Sequence, residues 1–388
     1  MPIDLTAKLT AALARLDADD LRRRRRITES AQGVRVLIEG RHYLSFASND
    51  YLGLAAHPDL VEAACAAARQ FGVGAGASHL LTGHHALHEA FETAFARFVG
   101  LPAALLFSTG YMANLGVITS LLGRHDAIFA DRLNHASLVD AARLSGADHQ
   151  RYRHNDLADL EQRLAVSTAP TKLIATDTVF SMDGDIARVP ELLALAEKYD
   201  AWAYLDDAHG FGVLGERGQG ILNRYQASPP NPRLIYLATL GKAAGVSGAA
   251  VAGSAALIEF LLNRARTWIY TTAQPPMLAA AALKSLELIA AGEERRTHLQ
   301  ALIDHLRTRL APLPWRLMDS PTPIQPLLVG DSATAMRLSQ QLAERGLWLP
   351  AIRPPTVPEG TARLRISLSA AHRLEDIDEL AAALEALA

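Results

Sequence analysis

The strongest constraint on this chain is an alternation in its middle, where short unbroken apolar runs are each followed by an amphipathic stretch. "AALLF" (103–107) precedes a helical "YMANLGVITSLL", and "DAIFAD" (126–131) precedes "HASLVDAARLSG". "KLIATDTVF" (172–180) precedes "VPELLALAEKYD", while "AWAYLDDAHG" (201–210) leads through a Gly-rich loop to "RLIYLATLGKA" (233–243). Runs this apolar suit strands covered on both faces, and the helices between them suit crossover connections. The pattern therefore predicts an α/β fold with a large, mostly parallel sheet and helices on both faces. After residue 275 the rhythm changes. Helical stretches at 276–291 and 294–311 lead into "IQPLLVGD", a helix near 332–345, "LWLPAIRPPTV", "ARLRISLSA" and a last helix at 372–387. That order predicts a smaller α+β unit with an antiparallel sheet. The expected organisation is an N-terminal segment (1–47), a large domain (48–275) and a small C-terminal domain (276–388).

Composition narrows the function classes. At 388 residues the chain is too long for one simple core, and 49% apolar with 20% charged residues fits a globular enzyme. A formal net charge of −3 gives no electrostatic case for nucleic acid. The single Cys65 allows neither an internal disulfide nor a thiolate cluster, which favours a reducing compartment. No apolar run reaches membrane-spanning length. The amino terminus carries Asp4, Asp17, Asp19 and Asp20 among its arginines and resembles neither a signal nor a transit peptide, so a cytoplasmic address is expected. "GVGAGA" (72–77) imitates a dinucleotide loop but follows a helical segment instead of a strand. "RRRRR" (22–26) reads as a solvated face. The pairs His84 with His85 and His125 with Asp126 lack ligand spacing, so no metal is expected.

In open α/β sheets, ligands bind beyond the carboxyl ends of the strands. There the sequence offers "FSTGYMAN", "DRLNHASL", "FSMDGD", "DDAHG" and "TLGKA". "STGYMAN" puts Gly110 and Tyr111 at a helix start, where free N–H groups and the dipole receive phosphate. A carboxylate of "YLDDAHG" suits a protonated ring nitrogen, and His209 suits a phenolate oxygen. His135 can stack on an aromatic ring. Lys242 lies among small and hydroxyl-bearing neighbours, where an unpaired ammonium is costly and a covalent bond would consume the charge. Ser181 and Thr239 lie at the same rim. Together these groups describe pyridoxal phosphate held as a Schiff base.

"SNDYLGL" (48–54), "FSTGYMAN", "DRLNHASL", "FSMDGD", "LDDAHGFGVLGERGQG", "TLGKAAGVSGAAVAGS" and "AIRPPTVPEGTARLRISL" (351–368) resemble the α-oxoamine synthases among the fold-type I pyridoxal phosphate enzymes. The resemblance runs from about residue 5 to the end, with the motifs in the family's order. It implies that Lys242 bonds the cofactor, Asp206 pairs with the pyridine nitrogen, His209 with the ring oxygen, and His135 stacks on the ring. Gly110, Tyr111, Ser181 and Thr239 would surround the phosphate. Tyr111 stands where phenylalanine is frequent, which leaves a backbone contact intact. Thr271 and Thr272 of "IYTTAQPP" match a hydroxyl pair that crosses to the other subunit, implying a homodimer with shared active sites. Arg365 would hold an amino-acid carboxylate with help from Asn49. Arg22, or another arginine within 22–26, would line the acyl path with Thr356. The implied reaction is decarboxylative condensation of L-alanine with a pimeloyl thioester on acyl carrier protein or coenzyme A. Alternatives are another α-oxoamine synthase, such as one joining glycine to acetyl-CoA, or a non-catalytic relative that keeps the fold.

Overall fold

The computed structural model describes residues 4–18, 21–23, 25–225 and 232–388. Strands β1 (Arg35–Ile38) and β2 (Arg41–Ser45) form an antiparallel hairpin. The central sheet takes β3 (Ala103–Phe107), β4 (Ala127–Asp131), β5 (Asp148–Tyr152), β6 (Lys172–Asp177), β7 (Trp202–Asp206), β8 (Leu234–Thr239) and β9 (Ala249–Gly253). Their order across the sheet is β3-β9-β8-β7-β6-β4-β5, and only β9 runs against the rest. The C-terminal strands are β10 (Arg316–Leu317), β11 (Ile324–Gly330), β12 (Leu347–Trp348), β13 (Ala351–Ile352) and β14 (Ala362–Ser367). Four of them make the antiparallel sheet β10-β11-β14-β13, while β12 pairs in parallel with β2. The N-terminal hairpin is thereby joined to the C-terminal part of the chain.

The fold class is the one the alternation predicts. β4, β8 and β9 are buried or nearly so along their length, as a sheet covered on both faces requires. Separate apolar clusters lie on its two faces, one containing Phe91, Phe95 and Tyr236, the other Phe107, Ile128 and Tyr204. Two strands escaped the pattern. β9 is built from "AAVAG", whose small side chains read as loop, and β5 is a polar edge strand, "DHQRY". The strands also stop sooner than the apolar runs suggest. β6 ends at Asp177 and β7 at Asp206, because the next residues turn into loops whose backbone bonds neighbouring elements. Thr178 N–H donates to the Asp206 carbonyl (2.9 Å) and Asp207 N–H to the Leu237 carbonyl (2.7 Å).

The C-terminal sheet pins the loop that follows β6. Arg365 on β14 donates from Nε to the Ser181 carbonyl at 2.5 Å, and Arg363 pairs with Asp183. The Ser320 and Thr322 hydroxyls both donate to the Gly184 carbonyl. Gly184 has φ +74°, and a Cβ there would sit 2.4 Å from the Ile324 carbonyl oxygen, so the turn needs glycine. From the other side His154 bridges two carboxylates, with Nδ1 3.1 Å from Asp131 and Nε2 2.9 Å from Asp185. Burial opposes charge on this ring, but the two carboxylates more than reverse that and raise its pKa to about 10.

Because the folded-state value lies above the unfolded one near 6.5, this stabilisation is fully present below pH 6.5 and is lost as pH rises through 10. His154→Gln should therefore destabilise the chain by about 3 kcal/mol at pH 6, where it breaks a buried pair. Denaturant midpoints should show the penalty shrinking towards pH 10. A penalty independent of pH would contradict the ion-pair account.

Candidate active site

Five strand ends converge on a cavity of about 190 Å³. Gly110 and Tyr111 enter after β3, His135 after β4, Ser181 after β6, Asp206 and His209 from β7 and its turn, and Thr239 and Lys242 from β8. The helix 110–121 starts at Thr109, whose side chain accepts from the Met112 N–H at 3.1 Å. Among the described residues nothing accepts from the Gly110 or Tyr111 N–H, leaving two donors for an anion at the helix start. A Cβ on Gly110 would come within 2.6 Å of the Thr239 Cγ2, so glycine keeps this wall open. The Tyr111 hydroxyl bonds Asp140 at 2.6 Å.

Lys242 is partly exposed, because the cavity gives it a surface, yet protein closely surrounds its amine. Burial pushes its pKa down, while Asp206 and Asp177 pull the other way. Its Nζ lies 3.4 Å from Thr239 Oγ1. Burial likewise pushes His209 well below its ordinary value, and its Nδ1 lies 2.7 Å from the Tyr51 hydroxyl. The Asp206 carboxylate is almost wholly buried and accepts from Asn114 Nδ2 (2.8 Å) and the Ala208 N–H (3.1 Å).

Asn49 and Arg365 meet beside this cavity. Both terminal nitrogens of Arg365 lie 3.3 Å from Asn49 Oδ1, and one also donates to Ser367 Oγ at 2.6 Å. Asn49 is presented by a tight loop in which Asp50 accepts from the Leu54 and Ala55 N–H groups. Arg22 and Thr356 line a separate cavity of about 840 Å³ with Leu13, Leu16, Ile352 and Pro355. Arg22 pairs there with Asp17, Arg23 shares the lining, and Arg26 pairs with Glu39 instead. Arg24, also within the run 22–26, lies outside the described residues. Thr271 and Thr272 follow a short helix and do not line the cavity around Lys242 in their own chain.

Three cavity residues with polar side chains were not picked out by motif reading: Asn114, Ser137 and Asp177. Asp177 pairs in register with Asp206 across β6 and β7 and accepts the His135 N–H at 2.6 Å. Burial and the adjacent Asp206 raise its pKa well above the usual carboxylate range. Its signal was present in the sequence, since "KLIATD" and "AWAYLD" end alike.

Comparison with known proteins gives this cavity its context. Residues 41–384 match the family model for aminotransferase class I and II. The 8-amino-7-oxononanoate synthase of Herminiimonas arsenicoxydans is 58% identical over 381 residues, covering 97% of this chain and 98% of that protein. The enzyme of the same name from Nitrosomonas eutropha is 60% identical, covering 98% of each. The chain belongs to the 8-amino-7-oxononanoate synthase family. Among solved structures, serine palmitoyltransferase from Sphingomonas wittichii superimposes with a TM-score of 0.92 at 32% identity, covering 99% of this chain and 98% of that one. An 8-amino-7-oxononanoate synthase from Francisella tularensis superimposes with a TM-score of 0.77 at 31% identity, covering 89% and 98%. A serine palmitoyltransferase structure containing PLP, pyridoxal phosphate, matches at a TM-score of 0.92 and 30% identity, covering 99% and 98%.

Proposed function

We propose that this chain is the pyridoxal phosphate-dependent acyltransferase of biotin synthesis that condenses L-alanine with a pimeloyl thioester. Carbon dioxide and the free thiol carrier are the other products. The observation that carries the reading is the enclosed Lys242 amine facing Asp206 in a cavity whose far wall has two free helix N–H groups. That donor set fits the group: an amine for its aldehyde, a carboxylate for its ring nitrogen and a helix start for its phosphate. When bound, the cofactor supplies an electron-withdrawing ring that stabilises negative charge on the amino-acid Cα.

The chain's own residues do the rest. Asp206 favours the protonated ring nitrogen, because an adjacent anion stabilises a cation. His209 would hydrogen-bond the ring oxygen and His135 would cover the ring face. Gly110 and Tyr111 would donate to the phosphate alongside Ser181 and Thr239, and Thr271 with Thr272 would reach it from a second copy in a homodimer. Arg365, oriented by Asn49, holds the alanine carboxylate. Lys242 takes the Cα proton, a role suited to an amine whose burial lowers its pKa. The Cα then bonds to the thioester carbonyl carbon as the C–S bond breaks and the sulfur leaves as the thiolate; the carboxylate next leaves as carbon dioxide, and a proton returned by Lys242 takes its place on Cα. The cavity lined by Arg22 and Thr356 receives the distal carboxylate of the acyl chain, whose desolvation requires a cation or hydroxyl. No helix among the described residues is long and apolar enough to cross a membrane.

Asp206→Asn should keep the cofactor bound while slowing exchange of the alanine Cα hydrogen with solvent roughly 10²–10³-fold. Exchange followed by NMR at an unchanged rate would remove Asp206 from this role. Glycine, alanine and serine should also be paired with acetyl, succinyl, pimeloyl and palmitoyl thioesters and ranked by kcat/KM, with alanine plus pimeloyl leading. Replacing Arg22 and Thr356 together by alanine should cost the pimeloyl donor on the order of tenfold or more and spare the acetyl donor. A lead for glycine with acetyl-CoA, or equal losses for both donors, would overturn the substrate assignment.

A further inference from the structure

The proton positions around His135 follow from counting donors. The Tyr204 hydroxyl donates to Asn114 Oδ1 at 2.6 Å. The opposite amide orientation would aim that oxygen at the Asp206 carboxylate, so the Asn114 amide is fixed the way it stands. Both of its N–H groups are then spent, one on Asp206 Oδ2 and one on Ser137 Oγ, each at 2.8 Å. The Ser137 backbone N–H can only donate, and it approaches His135 Nδ1 at 3.3 Å, so this nitrogen accepts. The Ser137 hydroxyl, 2.7 Å from the same nitrogen, therefore donates to it as well while its oxygen accepts from Asn114. A nitrogen facing two donors must present its lone pair. The ring's proton therefore resides on Nε2.

We propose that Asn114 and Ser137 are positioning residues that hold His135 as the Nε2–H tautomer, so that its ring donates a hydrogen bond from Nε2 into the cavity. One amide thus sets two groups at once, the Asp206 carboxylate and the His135 proton. The chain Tyr204, Asn114, Ser137 and His135 is buried from Tyr204 through Ser137, and its last three members line the cavity. Among the described residues no hydrogen bond satisfies His135 Nε2, which leaves its proton for an occupant. On the proposed function, that occupant is an oxygen of the alanine carboxylate or of the thioester carbonyl, where negative charge gathers as the carbon–carbon bond forms. The charged and titratable groups around the ring are Asp206, Lys242, Asp140 and Asp177, the last accepting the His135 backbone N–H. Burial lowers the ring's pKa, which agrees with a neutral imidazole.

Nitrogen-15 NMR of the cofactor-free full chain, labelled at histidine, tests this without any turnover. The His135 signal is assigned by its disappearance in His135→Asn. The unaltered chain should show Nδ1 unprotonated and Nε2 protonated at neutral pH. Ser137→Ala removes a donor that favours the neutral ring, so the His135 titration should move up by roughly 0.5–1 unit. Asn114→Leu frees the serine proton and should move it in the same direction. A protonated Nδ1 in the unaltered chain, or a titration that Ser137→Ala does not move, would overturn the proposal. Failure of the acyl-transfer reading would leave this spectrum untouched, so the two can fail separately.

Discussion

Asp177 and Asp206 occupy the same register at the ends of adjacent strands, and Lys242 closes the same end from the next strand over. Two carboxylates side by side in a nearly buried place repel each other and lose their hydration, so they persist only where donors and a cation meet them. The surrounding structure supplies these. The His135 N–H serves Asp177, Asn114 and the Ala208 N–H serve Asp206, and the Lys242 amine sits within electrostatic reach of both. Much of the fold near the site can be understood as support for this arrangement. The parallel strands bring the carboxylates together, and the helix beginning at Gly110 brings Asn114 one turn along to meet Asp206.

The same dependence explains the link to the C-terminal sheet. Arg365 on β14 carries a charge that needs partners, and it finds them in Ser181, Ser367 and Asn49, which belong to three distant parts of the chain. The loop of Asn49 is held in turn by the Ser369 hydroxyl, which donates to the Asp50 carbonyl at 2.6 Å. One cation therefore ties together the start of the large sheet's region, the loop after β6 and the C-terminal strand. On the proposed function, the arginine that would receive a substrate carboxylate also fixes the geometry of the wall around it.

What the sequence made legible divides along physical lines. β4, β6, β7 and β8 were readable because a doubly covered strand must be continuously apolar, and their ends were readable because polar residues begin there. β9 was hidden by its alanines, which pack closely but carry little hydrophobic signal, and β5 by its place at a polar edge. Gly110, His135, Asp206 and Lys242 stand in short motifs whose chemistry is local. Asn114 and Ser137 do not. Their meaning lies in hydrogen bonds to partners 92 and 23 residues away, and those appear only when strands and helices are assembled. Asn114 lay inside the quoted "GYMAN", but nothing along the chain tells an asparagine that faces solvent from one that bonds both Asp206 and Ser137.

The claim on which the account rests is that the enclosed amine of Lys242 is the cofactor's anchor. The chain has five lysines, at positions 8, 172, 198, 242 and 284, and only Lys242 lines the cavity. Borohydride reduction of the pyridoxal phosphate-loaded protein, followed by peptide mass mapping, locates the covalent link among them. The account expects a single phosphopyridoxyl group, on Lys242. Stoichiometric labelling of any other lysine, with Lys242 unmodified, would contradict it.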